Sequence, residues 1–216
     1  SAQIFNRDGS KAENCINGAR CFGKYVFDTG LLDKEELLVG IEKNKWKISH
    51  PEKNAYAVEQ EISDLNAGKD LLPKPNPSGL HTLDLEGDIL EVGYVNLGNP
   101  HAINFTKKIN DMPLDNWGHC LQGSEWFPEG VNLTLAEMRS PREINIRVFE
   151  RGVGETLACG SGACATVVIG LQLGYLQQEV QVNFKKGSLY IKYDLKNQRL
   201  IAKGSADFLE EINILV

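Results

Sequence analysis

Cys15-Ile16-Asn17-Gly18-Ala19 returns later in the chain as Cys159-Gly160-Ser161-Gly162-Ala163. The residues ahead of each cysteine return in the same register. Phe5, Arg7 and Cys15 become Phe149, Arg151 and Cys159, each pair separated by one offset (149 − 5 = 151 − 7 = 159 − 15 = 144). Gly18/Gly162 and Ala19/Ala163 keep it. One unit, Phe-x-Arg…Cys-x-[Asn/Ser]-Gly-Ala, therefore occurs twice. Around each copy the pattern has the same order: strand, polar or glycine-rich turn, cysteine at a helix mouth, helix. In the first copy, residues 2–7 read as a strand running into Asp8-Gly9-Ser10. Asn17 to Phe27 reads as a helix that Asp28-Thr29-Gly30 stops. In the second, Asn145 to Glu150 alternates apolar and polar as a half-buried strand. Gly152-Val153-Gly154 is a loop, and Gly162 to Leu173 is a small-residue helix ending at Gly174. The duplication predicts an α+β protein of two pseudo-symmetric lobes with one cysteine unit in each.

Outside the repeat, Leu37 to Ile48 reads as a hairpin turning near Asn44. Lys69 to Gly79 carries Pro73, Pro75 and Pro77 and reads as a loop or linker. Ile89 to Phe105 reads as two short strands around the break Leu97-Gly98-Asn99-Pro100-His101. Val180 to Phe184, Leu189 to Leu195 and Leu200 to Lys203 read as strands, the first two joined at Lys186-Gly187.

The chain has 216 residues, 42% hydrophobic and 24% charged, with a formal net charge of −6. These are ordinary values for a chain that buries a core. No Lys/Arg cluster marks a nucleic-acid surface. The longest apolar stretch, Ala163 to Leu173, is too short to span a bilayer, and the start lacks a basic-then-apolar signal pattern. Five cysteines, an odd number, do not form a small secreted framework and fit reduced cytoplasmic thiols. Cys21, Cys120 and Cys164 are expected as small buried hydrophobes. The Cys15…Cys21 and Cys159…Cys164 spacings depart from zinc ligation, and no C-x-x-C motif supports a dedicated oxidoreductase.

The repeat carries the chemistry. A helix N-terminus exposes unpaired N–H groups and partial positive charge, which suit a carboxylate. A cysteine at the same mouth is expected to feel that field and ionise more easily. Two facing mouths clamp one carboxylate and put a sulfur on each side of the neighbouring carbon. That arrangement suits removal of an α-proton, with the carbanion held by fixed N–H groups and a proton returned to the opposite face.

The segments FNRDGS (5–10), NCINGARCF (14–22), LGNPHA (97–102), VNL (131–133), FERGVGET (149–156) and ACGSGACA (158–165) resemble those of the diaminopimelate epimerase family, in the family's order. The resemblance implies two pseudo-symmetric lobes of mixed sheet wrapped around a central helix. It places residues 1–59 with 205–216 in the first lobe and 60–204 in the second. It implies interconversion of LL- and meso-diaminopimelate, in lysine and peptidoglycan-precursor synthesis, without pyridoxal phosphate or metal. Cys15 and Cys159 match the catalytic thiols, and His101 and Glu150 match groups that tune them. Ile16, Asn17, Gly160 and Ser161 match the carboxylate clamp. Asn6, Asn99, Asn132, Glu150 and Arg151 match residues that hold the rest of the substrate. The implied partner is a small diamino dicarboxylate, with no nucleic acid or membrane, and the full-length protein is expected as a homodimer.

Two departures stand out. The family writes Cys-Gly-Asn-Gly where this chain has Cys15-Ile16-Asn17-Gly18. A branched residue adds bulk and resists positive φ, so the first clamp is expected to distort if the family glycine uses that backbone. The family also carries several dozen residues before FNRDG, including an HGxGNDF motif and a glutamine, so the first lobe is expected to be incomplete. Two alternatives stay open: an inactive fragment retaining a carboxylate-binding lobe, and a related cofactor-free racemase. From the residues alone, His101 reads equally as a turn histidine, and Asn6, Asn99 and Asn132 as turn residues.

Overall fold

A computed structural model describes residues 3–5, 9, 14–41, 44–62 and 64–208. Its helices and strands repeat with the cysteines. Helix α1 (Ile16–Asp28) and helix α3 (Gly160–Gln172) each have 13 residues, and both ends of α3 fall 144 residues after those of α1 (160 − 16 = 172 − 28 = 144). Even the stops match. Gly30 and Gly174 both take positive φ. Leu31 N–H donates to Val26 O as Tyr175 N–H does to Gly170 O. Glycine suits this stop because it takes the left-handed backbone without strain.

A three-strand meander follows each helix. After α1 come β1 (Glu36–Ile41), β2 (Asn44–Glu52) and β3 (Ala55–Glu61). After α3 come β10 (Glu179–Phe184), β11 (Gly187–Asp194) and β12 (Arg199–Gly204). The two meanders join through β3 and β12, antiparallel, with Val58 opposite Ala202. Those two residues are themselves equivalents (202 − 58 = 144), so a local pseudo-dyad passes between them.

Between the repeats lie β4 (His81–Leu85), β5 (Asp88–Asn96), β6 (Pro100–Phe105), the short helix α2 (Leu114–Leu121), β7 (Asn132–Ser140), β8 (Glu143–Glu150) and β9 (Gly154–Thr156). The strands form one hydrogen-bonded path, β1-β2-β3-β12-β11-β10-β8-β7-β6-β5-β4, with β9 added on β8. Only β8–β10 and β6–β7 are parallel among the described pairs.

The two helices bury differently. In α1 only Ile16, Ala19, Gly23 and Val26 are buried, one stripe at helical spacing. That stripe packs on β2 and β3. In α3 every residue from Gly160 to Gly170 is buried, and the helix touches β5, β6, β7, β11, β12 and α1. A helix apolar on every side belongs inside a core, and its small residues let the strands close around it. Thr166, its one buried polar side chain past the first turn, donates its hydroxyl to Gly162 O at 2.8 Å. One apolar cluster runs from Trp46, Ile48 and Val58 through Ile16 and Ala19 to α3 and β10–β12. A second lies between α2 and β4–β8, around Leu133, Leu135 and Phe149.

The mixed-sheet α+β architecture around a central helix is the one expected. The hairpin at Leu37–Ile48, the strands of Ile89–Phe105 and the three C-terminal strands all form. Most of the strand expected at 2–7 falls outside the described residues. Cys164 is buried, but Cys21 and Cys120 are exposed, which corrects the expectation for those two. Cys21 lies off the buried stripe of α1, and Cys120 lies beside the buried positions of α2. No helix among the described residues is long and apolar enough to cross a membrane.

Candidate active site

Cys15 and Cys159 occupy the same position on their helices, the residue that caps the first turn, with non-helical backbone angles. Cys15 Sγ accepts the Gly18 N–H at 3.3 Å. Cys159 Sγ accepts the Gly162 N–H at 3.4 Å. Each sulfur stands where a cap side chain stands, satisfying one of the orphan N–H groups of the helix start.

The mouths meet. A methyl on Gly160 would lie 2.9 Å from Ile16 Cβ and 2.8 Å from Asn17 Oδ1. Ile16 and Gly160 are pseudo-equivalents, so each faces the other across the junction of the two copies. Two side chains would collide there, and this chain places one. Ile16 fills the space at 1% exposure and Gly160 leaves it open. Ile16 is the first residue of α1 and is not among the positive-φ residues. The distortion expected from a branched residue is therefore absent, because the position asks only for helical backbone.

The expectation that the helix mouths acidify the thiols is reversed. Burial pushes Cys15 up, against the opposing pull of the Gly18 and Asn17 N–H groups. It pushes Cys159 up to about 12, where the Glu150 charge adds to it and Ser161 and the Gly162 N–H oppose it. Desolvation of the anion outweighs the N–H groups, so both sulfurs rest as thiols. Ser161 Oγ lies 3.4 Å from Cys159 Sγ. Glu150, the last residue of β8, accepts the Thr156 hydroxyl and raises the pKa of both cysteines.

The segment 97–102 is tied to the first mouth. Asn14, beside Cys15, donates Nδ2–H to Leu97 O at 2.8 Å. Gly98 takes φ +95 there, a turn that a side chain resists. His101 is fully buried, and its Nε2 lies 3.1 Å from Asn99 Oδ1. With Nε2 donating, Nδ1 carries the lone pair, and it has no partner among the described residues. Burial first, and the Arg151 charge second, pull His101 down to about 3. Asn132 donates Nδ2–H to Pro100 O at 3.0 Å, and its Oδ1 accepts the Arg151 N–H at 3.0 Å. Its amide fastens the His101 strand to the Glu150–Arg151 corner.

The candidate residues thus fall into two connected groups: the paired mouths with Glu150, and His101, Asn99, Asn132 and Arg151 beside them. Asn6 lies outside the described residues. Asn14 and Arg20 were not singled out in the sequence, although both fall inside NCINGARCF. A separate cavity of about 1070 Å³ is lined by Lys47, Glu59, Lys192 and Lys203, and no cysteine or mouth residue borders it. No cluster of three or more His, Cys, Asp or Glu among the described residues forms a metal site.

His101 carries a pH prediction. Its folded value, about 3, lies below its ordinary 6.5, so the unfolded chain takes the proton first. Stability from this group is complete above about 6.5 and is lost as pH falls toward about 3, at about 1.4 kcal/mol per unit. Urea unfolding at pH 7 and pH 5 should show wild type losing roughly 2 kcal/mol more than His101→Gln. Equal losses would refute the assignment.

Comparison with known proteins identifies a family and a fold. Residues 93–209 match the family model described as diaminopimelate epimerase. A relative named diaminopimelate epimerase, from Nitrosospira multiformis, is 36% identical over 214 residues, 94% of this chain and 74% of that protein. Among solved structures, a Bacillus anthracis protein of the phenazine biosynthesis PhzF family superposes with a TM-score of 0.66 at 13% identity, over 99% of this chain and 80% of that one. A hydroxyproline epimerase from Agrobacterium vitis superposes with a TM-score of 0.57 at 12% identity, over 94% and 67%. At these identities the two structures share the fold.

Proposed function

This chain belongs to the diaminopimelate epimerase family, and from that premise we propose that it inverts the α-carbon of diaminopimelate with Cys15 and Cys159 as paired acid and base. The observation that carries the reading is the meeting of two equivalent cysteine-capped helix mouths. The N–H groups at Ile16, Asn17, Gly160 and Ser161 hold the reacting carboxylate and the charge that grows beside it. One sulfur, as thiolate, takes the α-proton. The other, as thiol, gives its proton to the opposite face. One S–H bond forms as the other breaks, so the site ends with the roles of its sulfurs exchanged.

Both sulfurs rest protonated, so one proton must leave before turnover. The proton passes to water, and Glu150, whose charge acts on both thiols, and buried neutral His101 are the groups we assign to tuning the two sulfurs. Asn6, Asn99, Asn132 and Arg151 hold or order the groups that grip the distal amino-acid end. The lobes divide as 1–59 with 205–216 and 60–204, one helix-capping cysteine in each. Five free thiols suit a reducing cytoplasm.

The test is solvent exchange. In deuterium oxide, LL-diaminopimelate should acquire deuterium at its α-carbons and convert to the meso form, read by mass spectrometry and NMR. Exchange on proline or glutamate with none on diaminopimelate would overturn the substrate assignment.

A further inference from the structure

Arg20 lies in the second turn of α1, near the end where the helix field opposes a cation. Helix stability therefore gives no reason for a positive charge there, and the charge is partly desolvated as well. Its contacts suggest one. Nη2–H donates to Asn17 Oδ1 at 2.8 Å, and Nη1–H donates to Ser205 O at 2.8 Å. Asn17 Nδ2–H reaches Ala158 O, the residue just before Cys159, at 3.4 Å. A guanidinium only donates, so it fixes which end of the Asn17 amide faces it and sends the NH₂ across to the second mouth. The partners make room. A methyl on Gly204 would lie 2.5 Å from Nη1 and 2.5 Å from Leu189 Cδ2. The pseudo-equivalent of Arg20 is Cys164 (164 − 20 = 144), a small residue whose sulfur feels the Arg20 charge. The device exists in one copy only and spans the junction of the two.

We propose that Arg20 is a positioning residue that locks the two cysteine mouths together, through Asn17 to Ala158 on one side and through Ser205 on the other. It deepens the two-thiol reading and rests on it for its catalytic meaning. The lock also covers Cys159, because the Asn17–Gly160 contact closes over that mouth.

Pulsed iodoacetamide labelling, resolved peptide by peptide, tests the lock without needing turnover. Loss of a charge-assisted hydrogen bond shifts a local opening by roughly 10-fold. Arg20→Gln should therefore label Cys159 roughly 10-fold faster, with Cys164, deeper in the same helix, no faster than in wild type. Arg20→Met, which keeps the aliphatic stem and loses the donors, should act the same way and serves if Arg20→Gln fails to fold. Equal acceleration at Cys159 and Cys164, or none at either, in Arg20→Met would overturn the proposal. In the exchange assay, Arg20→Lys keeps the charge but not the two-pronged geometry. It should lower kcat roughly 100-fold and change KM by less than about threefold, because misplaced acid–base groups lose rate rather than binding. Wild-type kcat in Arg20→Lys would also overturn it. A chain with no exchange but selective opening at Cys159 would sink the epimerase reading and leave the lock standing.

Discussion

Cys159→Ser lowers α-hydrogen exchange by roughly 10²–10⁴-fold, the loss expected when a positioned acid–base group is removed. A hydroxyl is a far weaker acid than a thiol, and even the Cys159 thiol sits at about 12. The buried site that opposes the thiolate opposes an alkoxide more. Stability should move the other way. The residue caps α3, and serine is a good cap, so the variant should match wild type or gain up to about 1 kcal/mol. A catalytic defect with an intact or firmer fold separates chemistry from structure. Exchange above one-tenth of wild type would end the two-thiol mechanism. Cys15→Ser should be equally inactive, since each face of the carbon needs its own group.

Phe149→Ala costs roughly 3–5 kcal/mol, a large share of the usual stability of a domain. Phe149 is 2% exposed on β8, opposite Leu133. α2 rides on it: a methyl on Gly118 would lie 2.3 Å from the ring, and His119 meets it edge-on with centroids 5.0 Å apart. Removing the ring leaves a cavity under α2 and loosens the strand that ends at Glu150 and Arg151. The melting temperature should fall by roughly 6–20 °C. Phe149→Leu, which keeps most of the volume, should fall far less. A shift below about 2 °C in Phe149→Ala would mean the site collapses around the gap.

The duplicated motif carried most of what could be read from the sequence. It located both helix starts, the cysteine caps and the mixed α+β class. It did not extend to β3 or β4, because Ala55–Glu61 and His81–Leu85 lie far from any cysteine and their strand character depends on partners distant in sequence. α2 was missed for a similar reason: Leu114–Leu121 is two turns long and is held by Phe149 rather than by its own propensity. β7 begins in an almost wholly buried run, Asn132–Ala136, where alternation is lost. At the site, residue identity predicted the caps, but the thiol acidity came out with the opposite sign, since burial is a property of the assembled core. The Ile16 departure was visible in the sequence. Its resolution needed the observation that Gly160 stands opposite it.

The pairing of β3 with β12 also sets a schedule. Glu61 and Arg199 stand opposite each other in the β3–β12 pairing, 138 positions apart in the chain (199 − 61 = 138). A ribosome adding about 5–20 residues per second takes on the order of ten seconds to cover that distance. Through that interval Ala55–Glu61 has its β2 side closed and its other edge waiting. A nascent chain in this state offers a strand edge to any neighbour until Arg199–Gly204 arrives to claim it.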